Sequence, residues 1–140
     1  MRRTSVLPIV LACAAGLWAR PAAATLYDQL GGKPVVDRMV SDAVDIYIAD
    51  PRLAGYFDDI SAAWLKPRFA SYICQLADGP CVYRGRAMGP EHKGLHIDER
   101  AFNVVVEDLQ LAMRRCDIPF RVQNRLLARL APMERQIVTR

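Results

Sequence analysis

Only two histidines, His92 and His96, occur among the 140 residues, and several signatures are missing altogether: a glycine-rich phosphate loop, HExxH, GxSxG and the kinase motifs. P-loop phosphoryl transfer, zincin proteolysis and nucleophile-elbow hydrolysis each need one of these, so they drop out. No nucleophile stands beside either histidine, which leaves Ser-His-Asp chemistry few options. The four cysteines show no CxxC spacing, and this argues against a thiol-exchange enzyme. Aromatic residues make up 8%, and none interleaves with Arg121, Arg125 and Arg129. That basic stripe therefore reads as a solvated helix face and gives no support for a nucleic-acid partner. With 24% charged and 52% hydrophobic residues, wholesale disorder and collagen-like structure are excluded. No repeat, low-complexity stretch or boundary is visible, so one domain is expected.

The formal charge of +4 invites an anionic partner until its position is examined. Arg2 and Arg3 precede an apolar stretch of 13 residues from Val6 to Trp18, and Ala22-Ala23-Ala24 then offers small residues for cleavage. This is the three-part pattern of an export signal, too short for a bilayer span of ~20 residues. Val10-Leu11-Ala12-Cys13 gives a competing lipobox reading, in which membrane attachment depends on lipidation of Cys13. Loss of residues 1–24 removes Arg2, Arg3 and Arg20 and no acid, leaving 16 bases against 15 acids in a nearly neutral domain of residues 25–140. An exported, periplasmic domain permits disulfides. Cys74 and Cys81 are near enough to pair across Gly79-Pro80, which would leave Cys116 odd; three unpaired small apolar residues are the equal alternative.

Four segments carry helix-period apolar spacing and none sustains period-two alternation, so the fold class is all-α. Thr25–Leu30 allows a turn or two of helix before Gly31-Gly32 breaks it. Val36, Val40, Ala43, Val44, Tyr47 and Ile48 mark the face of a helix over Lys33–Ala49, ended by Asp50-Pro51. A connector rich in apolar residues follows, with Leu53, Tyr56, Phe57 and Ile60. The next helix spans about Ala63–Leu76, with Leu65, Phe69, Tyr72, Ile73 and Leu76 on one side and Pro67 placed in its first turn or so. Asp78–Pro90 reads as a long turn-rich loop of the kind that carries function. Asp98 caps a helix over Glu99–Arg115 whose inward face is Phe102, Val105, Val106, Leu109 and Met113. After Pro119 a last helix turns Val122, Leu126, Leu127 and Leu130 inward and stops or kinks at Pro132.

A helical sandwich of this size has room for one flat apolar cofactor, and a neutral imidazole is the usual single protein ligand to haem iron. Tyr56 and Phe57 with Leu65, Phe69 and Ile73 supply the apolar surface a porphyrin face needs. The order of motifs is similar to that of the group 1 truncated haemoglobins. Its carriers are Leu26-Tyr27-Asp28-Gln29-Leu30-Gly31-Gly32, Ala49-Asp50-Pro51-Arg52-Leu53 with Tyr56-Phe57, and Gly79-Pro80 with Tyr83-x-Gly85-x-x-Met88-x-x-x-His92. Leu95, Ile97 and Phe102 follow. The resemblance spans about Leu26 to Pro132 and implies a shortened globin, two helix pairs crossed over a haem b (iron protoporphyrin IX).

It also implies roles. His92 resembles the proximal ligand to iron; Phe57, Met88 and Phe102 resemble haem contacts; Tyr83 and Arg68 resemble partners for the propionates. His96 is left as a surface or supporting residue. On the distal side the chain departs from the best-known members. Val44 stands where they carry a tyrosine that hydrogen-bonds dioxygen, Phe69 stands where a glutamine often assists, and Leu65 occupies the gate position. Losing such donors implies dioxygen release faster by about one to two orders of magnitude, while carbon monoxide needs less polar help. Tyr47, Tyr72, Lys66 and Arg68 are the polar side chains close enough in sequence to enter the pocket.

The function implied is reversible binding of a diatomic gas (O2, CO or NO) at ferrous haem, with a reductase as a possible electron donor. It is a binding protein first, with nitric oxide dioxygenase or peroxidase activity as a side reaction. Two alternatives stand beside it: a periplasmic redox, peroxidase-like or gas-sensing protein using the same haem, and a cofactor-free helical binding protein in which His92 is incidental.

Overall fold

The computed structural model describes residues 22–139, and no strand occurs among them. The proposed signal segment, apart from Ala22-Ala23-Ala24, and Cys13 lie outside the described residues. The order is α1 (Leu26–Leu30), α2 (Gly32–Ala49), a 3-10 turn (Pro51–Leu53), α3 (Ala62–Leu76) and α4 (Met88–His92). Then come α5 (Glu99–Arg115), α6 (Phe120–Leu130), a second 3-10 turn (Ala131–Met133) and α7 (Glu134–Ile137).

Local chemistry sets the ends of these helices. Thr25 and Asp28 form a reciprocal capping box, Thr25 Oγ1 accepting from the Asp28 N–H and the Asp28 carboxylate accepting from the Thr25 N–H at 3.0 Å. Thr25→Ala removes one half of that exchange and is expected to cost about 1 kcal/mol, read from the urea midpoint. Gly31 alone ends α1 and opens α2. Its φ of 104° is a left-handed conformation, and a Cβ there would lie 2.5 Å from Val35 Cγ2. Helix α2 consequently begins at Gly32, one residue before the expected Lys33.

Helices α3 and α5 end in the same motif. The Asp78 N–H bonds the Gln75 carbonyl and the Gly79 N–H the Cys74 carbonyl; Asp117 and Ile118 repeat this with Arg114 and Met113. Both aspartates sit at positive φ, where a short polar side chain is tolerated. Pro67 is the sixth residue of α3, beyond the expected first turn, and the helix runs through it without the bond its N–H would give to Ala63.

The core lies between α2 and its two neighbours, α3 and α5. Met39, Val40, Ala43 and Val44 of α2, Ile73 of α3, Ala112 and Met113 of α5 and Leu126 of α6 are all buried. Ile48, expected on the buried face of α2, is 46% exposed. On α5 the buried set is Ala101, Val104, Asp108, Leu109, Ala112 and Met113, so the expected inward face is rotated. Phe102, Val105 and Val106 are half-buried, on a side that the other described residues do not close completely. Leu127 and Leu130 of α6 are likewise half-buried, and the buried polar Gln123 holds the Ile118 carbonyl at 2.8 Å.

The arginine stripe on α6 is exposed at Arg121 and Arg125, as expected, and half-buried at Arg129. Arg125 bonds Gln29 Oε1 in α1, and Arg129 bonds both the Leu76 carbonyl and Asp78 at the end of α3. Arg129 therefore neutralises a helix end, and both residues tie α6 to its neighbours. The Arg129 guanidinium holds the Asp78 carboxyl below the usual carboxylate range.

Candidate functional site

The expected loop over Asp78–Pro90 runs into a short helix, α4, that carries Met88 and His92. Pro90 suits the first turn, where its missing N–H has no partner to lose. The Nδ1 atom of His92 lies 2.8 Å from the Met88 carbonyl oxygen one turn earlier. A carbonyl can only accept, so Nδ1 donates to it and Nε2 is the ring nitrogen that the backbone leaves unengaged. The imidazole is half-buried and oriented by its own helix. His96 is exposed at a φ of 51°, and its carbonyl accepts from the Tyr56 hydroxyl at 3.5 Å.

Leu65, Phe69 and Tyr72 lie at i, i+4 and i+7 on α3, so they share one face, and all three are half-buried. Ile73 and Cys74 turn the other way into the core. Phe57 reaches this face from the connector, which buried Leu53 anchors and the Asp50 carboxylate caps at the Arg52 N–H. Its ring stacks on Tyr47 at 5.6 Å, and Tyr47 also meets Phe69 at 6.4 Å. Tyr72 and Tyr83 pack edge to face at 5.2 Å.

Of the polar side chains able to enter a distal pocket, Lys66 is committed to Asp45 at 2.7 Å. Arg68 lies with its guanidinium 4.4 Å from the Trp64 ring centroid. Val44, Leu65 and Phe69 bring no polar group, and Val44 is buried. Tyr47 is buried beneath Phe57 and Phe69, and its hydroxyl has no partner. Burial pushes that phenol well up, and the charge of Asp108 adds to the effect.

The structure thus brings Phe57 and Phe69 together through Tyr47, Tyr72 together with Tyr83, and Met88 together with His92, while Phe102 stays half-buried on α5. Two surface grooves, of about 610 and 520 Å³, share Arg52 and contain none of these residues. Sequence reasoning did not single out Asp108, a carboxyl buried on α5 and 3.5 Å from Arg52. The available signal was an acid one place before Leu109 on an apolar face, and it reads as an ordinary register boundary.

A disulfide joins Cys74, at the end of α3, to Cys81 in the segment leading to Tyr83, and Cys116 is free. The Tyr83 N–H is held 2.7 Å from Gln75 Oε1 beside that bridge.

Residues 25–139 match the bacterial-like globin family. A group 1 truncated haemoglobin of Nostoc sp. is 30% identical over 89 residues, covering 64% of this chain and 75% of its own length. One of Mycolicibacterium paratuberculosis is 27% identical over 116 residues, covering 83% and 85%. Among solved structures, the ferric truncated haemoglobin of Tetrahymena pyriformis superposes with a TM-score of 0.80 at 20% identity, covering 84% of this chain and all of that one. The chain belongs to the bacterial-like globins, as a group 1 truncated haemoglobin.

Proposed function

We propose that this globin holds one haem b through Nε2 of His92 and binds O2, CO or NO on the opposite, apolar side. The observation that carries this reading is the His92–Met88 hydrogen bond, which orients the ring and leaves Nε2 as the one ring nitrogen available to a ligand. The surrounding residues fit the group. Large apolar side chains on the connector and three helices, Phe57, Leu65, Phe69, Tyr72, Met88 and Phe102, are left half-buried, as a flat apolar partner requires. When bound, the haem supplies a ferrous iron with a coordination position for a diatomic gas. His92 ligates, Met88 both packs and fixes the imidazole, and Phe57 and Phe69 exclude water from the distal side. Arg68 and Tyr83 are the partners proposed for the propionates.

The Cys74–Cys81 bridge and the N-terminal pattern both favour an oxidising, periplasmic setting. An electron donor is then needed to keep the iron ferrous.

The ferrous spectrum with and without carbon monoxide tests the reading. A Soret band that forms on haem addition and shifts sharply with carbon monoxide is the expected result. A protein that develops no Soret band after haem titration overturns it.

A further inference from the structure

Arg52 stands in the 3-10 turn that opens the connector, and its guanidinium meets carboxylates from two parts of the fold. One edge takes Asp50, with Nη2 2.7 Å and Nε 2.9 Å from Asp50 Oδ2. On the other edge Nη1 donates to Glu107 Oε2 at 2.7 Å. Its Nη2 also lies 3.5 Å from Oδ1 of buried Asp108. Asp50 closes α2, whereas Glu107 and Asp108 belong to α5. A single side chain thus fastens the end of α2 and the start of the connector to the middle of α5. A guanidinium is a rigid planar fork with donors on two edges at once, whereas a lysine offers one point charge.

The rest of the connector is lightly held. Buried Leu53 anchors it, and the Tyr56 hydroxyl reaches the His96 carbonyl at 3.5 Å. The two surface grooves of about 610 and 520 Å³ both have Arg52 in their walls, so open solvent flanks the crossing on either side. Within the connector the Leu53 N–H bonds the Asp50 carbonyl at 2.9 Å and the Tyr56 N–H bonds the Leu53 carbonyl at 3.1 Å. These bonds run from the clamped end toward Phe57, whose ring stacks on Tyr47 beside Phe69.

We propose that Arg52 is a positioning residue for gas entry: by clamping the connector to α5 through Glu107, it holds Phe57 in place on the distal side. The consequence for gas entry rests on the gas-binding reading. The clamp itself is a property of the polypeptide and is read without haem. Glu107 is 59% exposed, and an ion pair with so exposed a partner adds little to global stability, which separates local order from unfolding.

The test uses the full chain as wild type, Glu107→Gln, Arg52→Lys and the double variant. Arg52→Lys keeps a charge beside Asp50 and Asp108 and loses the second edge. Lys33→Gln, which breaks an exposed ion pair within α2, is the control and is expected to match wild type. Without haem, hydrogen exchange at the Leu53 and Tyr56 amides is expected to speed about threefold in both single variants, the size an exposed charged pair supports. Amides in the middle of α2 are expected to keep their rates. With haem, carbon monoxide association is expected to rise about threefold while the five-coordinate ferrous Soret band keeps its position, since His92 is untouched. The two substitutions remove one shared contact, so the double variant is expected to stay near threefold.

Connector amides that exchange as in wild type in Glu107→Gln overturn the clamp, and so does a double variant in which the effects multiply to about ninefold. Faster connector exchange with an unchanged carbon monoxide rate overturns the role in gas entry. If no Soret band forms, the gas-binding reading fails and hydrogen exchange alone decides the clamp.

Discussion

His92→Ala is expected to abolish the five-coordinate ferrous spectrum and to weaken haem retention on the order of 100-fold or more. Removing a group that only supports a metal ligand already costs 10- to 100-fold, so loss of the ligand itself sets a higher floor. Haem transfer to an acceptor globin measures retention, and added imidazole is expected to restore the coordinated spectrum by entering the vacated space. His96→Ala serves as the comparison. His96 is exposed and displaced from the α4 helix by the left-handed backbone at its own position, so the variant is expected to behave as wild type. A Soret band unchanged in His92→Ala would place the ligand elsewhere in the chain.

Replacing both Cys74 and Cys81 by serine is expected to destabilise the fold by about 2.5 kcal/mol, from the loop-closure entropy of a bridge between residues seven apart. For a domain of this size the thermal midpoint is expected to fall on the order of 10 °C. The packing around the bridge sharpens the effect. Gly79 sits so close that a Cβ there would lie 2.7 Å from Cys74 Sγ and 2.7 Å from the Tyr27 ring, and the Tyr27 N–H bonds the Ala77 carbonyl at 2.8 Å. The bridge therefore secures both the docking of α1 and the approach to Tyr83. Treating the wild type with a dithiol reductant is expected to reproduce the loss, and urea unfolding with and without reductant checks it. Equal midpoints would show that the bridge carries no stability.

The helices and their order were legible from apolar spacing, because α2, α3, α5 and α6 each commit one face to a shared core. His92 was singled out by the motif spacing around it and by the scarcity of histidine, and the structure adds its bond to the Met88 carbonyl. Periodicity failed on α5 for a physical reason. The helix carries two apolar stripes, and spacing alone does not say which one the chain buries. Phe102, Val105 and Val106 belong to the second stripe.

The arginine stripe was legible as a solvated face at Arg121 and Arg125 but not at Arg129. Charge at i, i+4 and i+8 looks solvated until the carbonyls and acids of neighbouring helix ends are placed against it, as Leu76 and Asp78 are against Arg129. Helices α4 and α7 are too short for a periodic signal, and they stabilise each other by contact.

The contact between α7 and α4 has a consequence for biosynthesis. The Thr139 N–H bonds the Ile97 carbonyl at 2.9 Å, just past the segment that carries His92. Residue 139 is added forty-seven residues after the histidine, so that segment acquires this support only late in synthesis. A nascent chain arrested before α7 holds its histidine on a helix that lacks this contact.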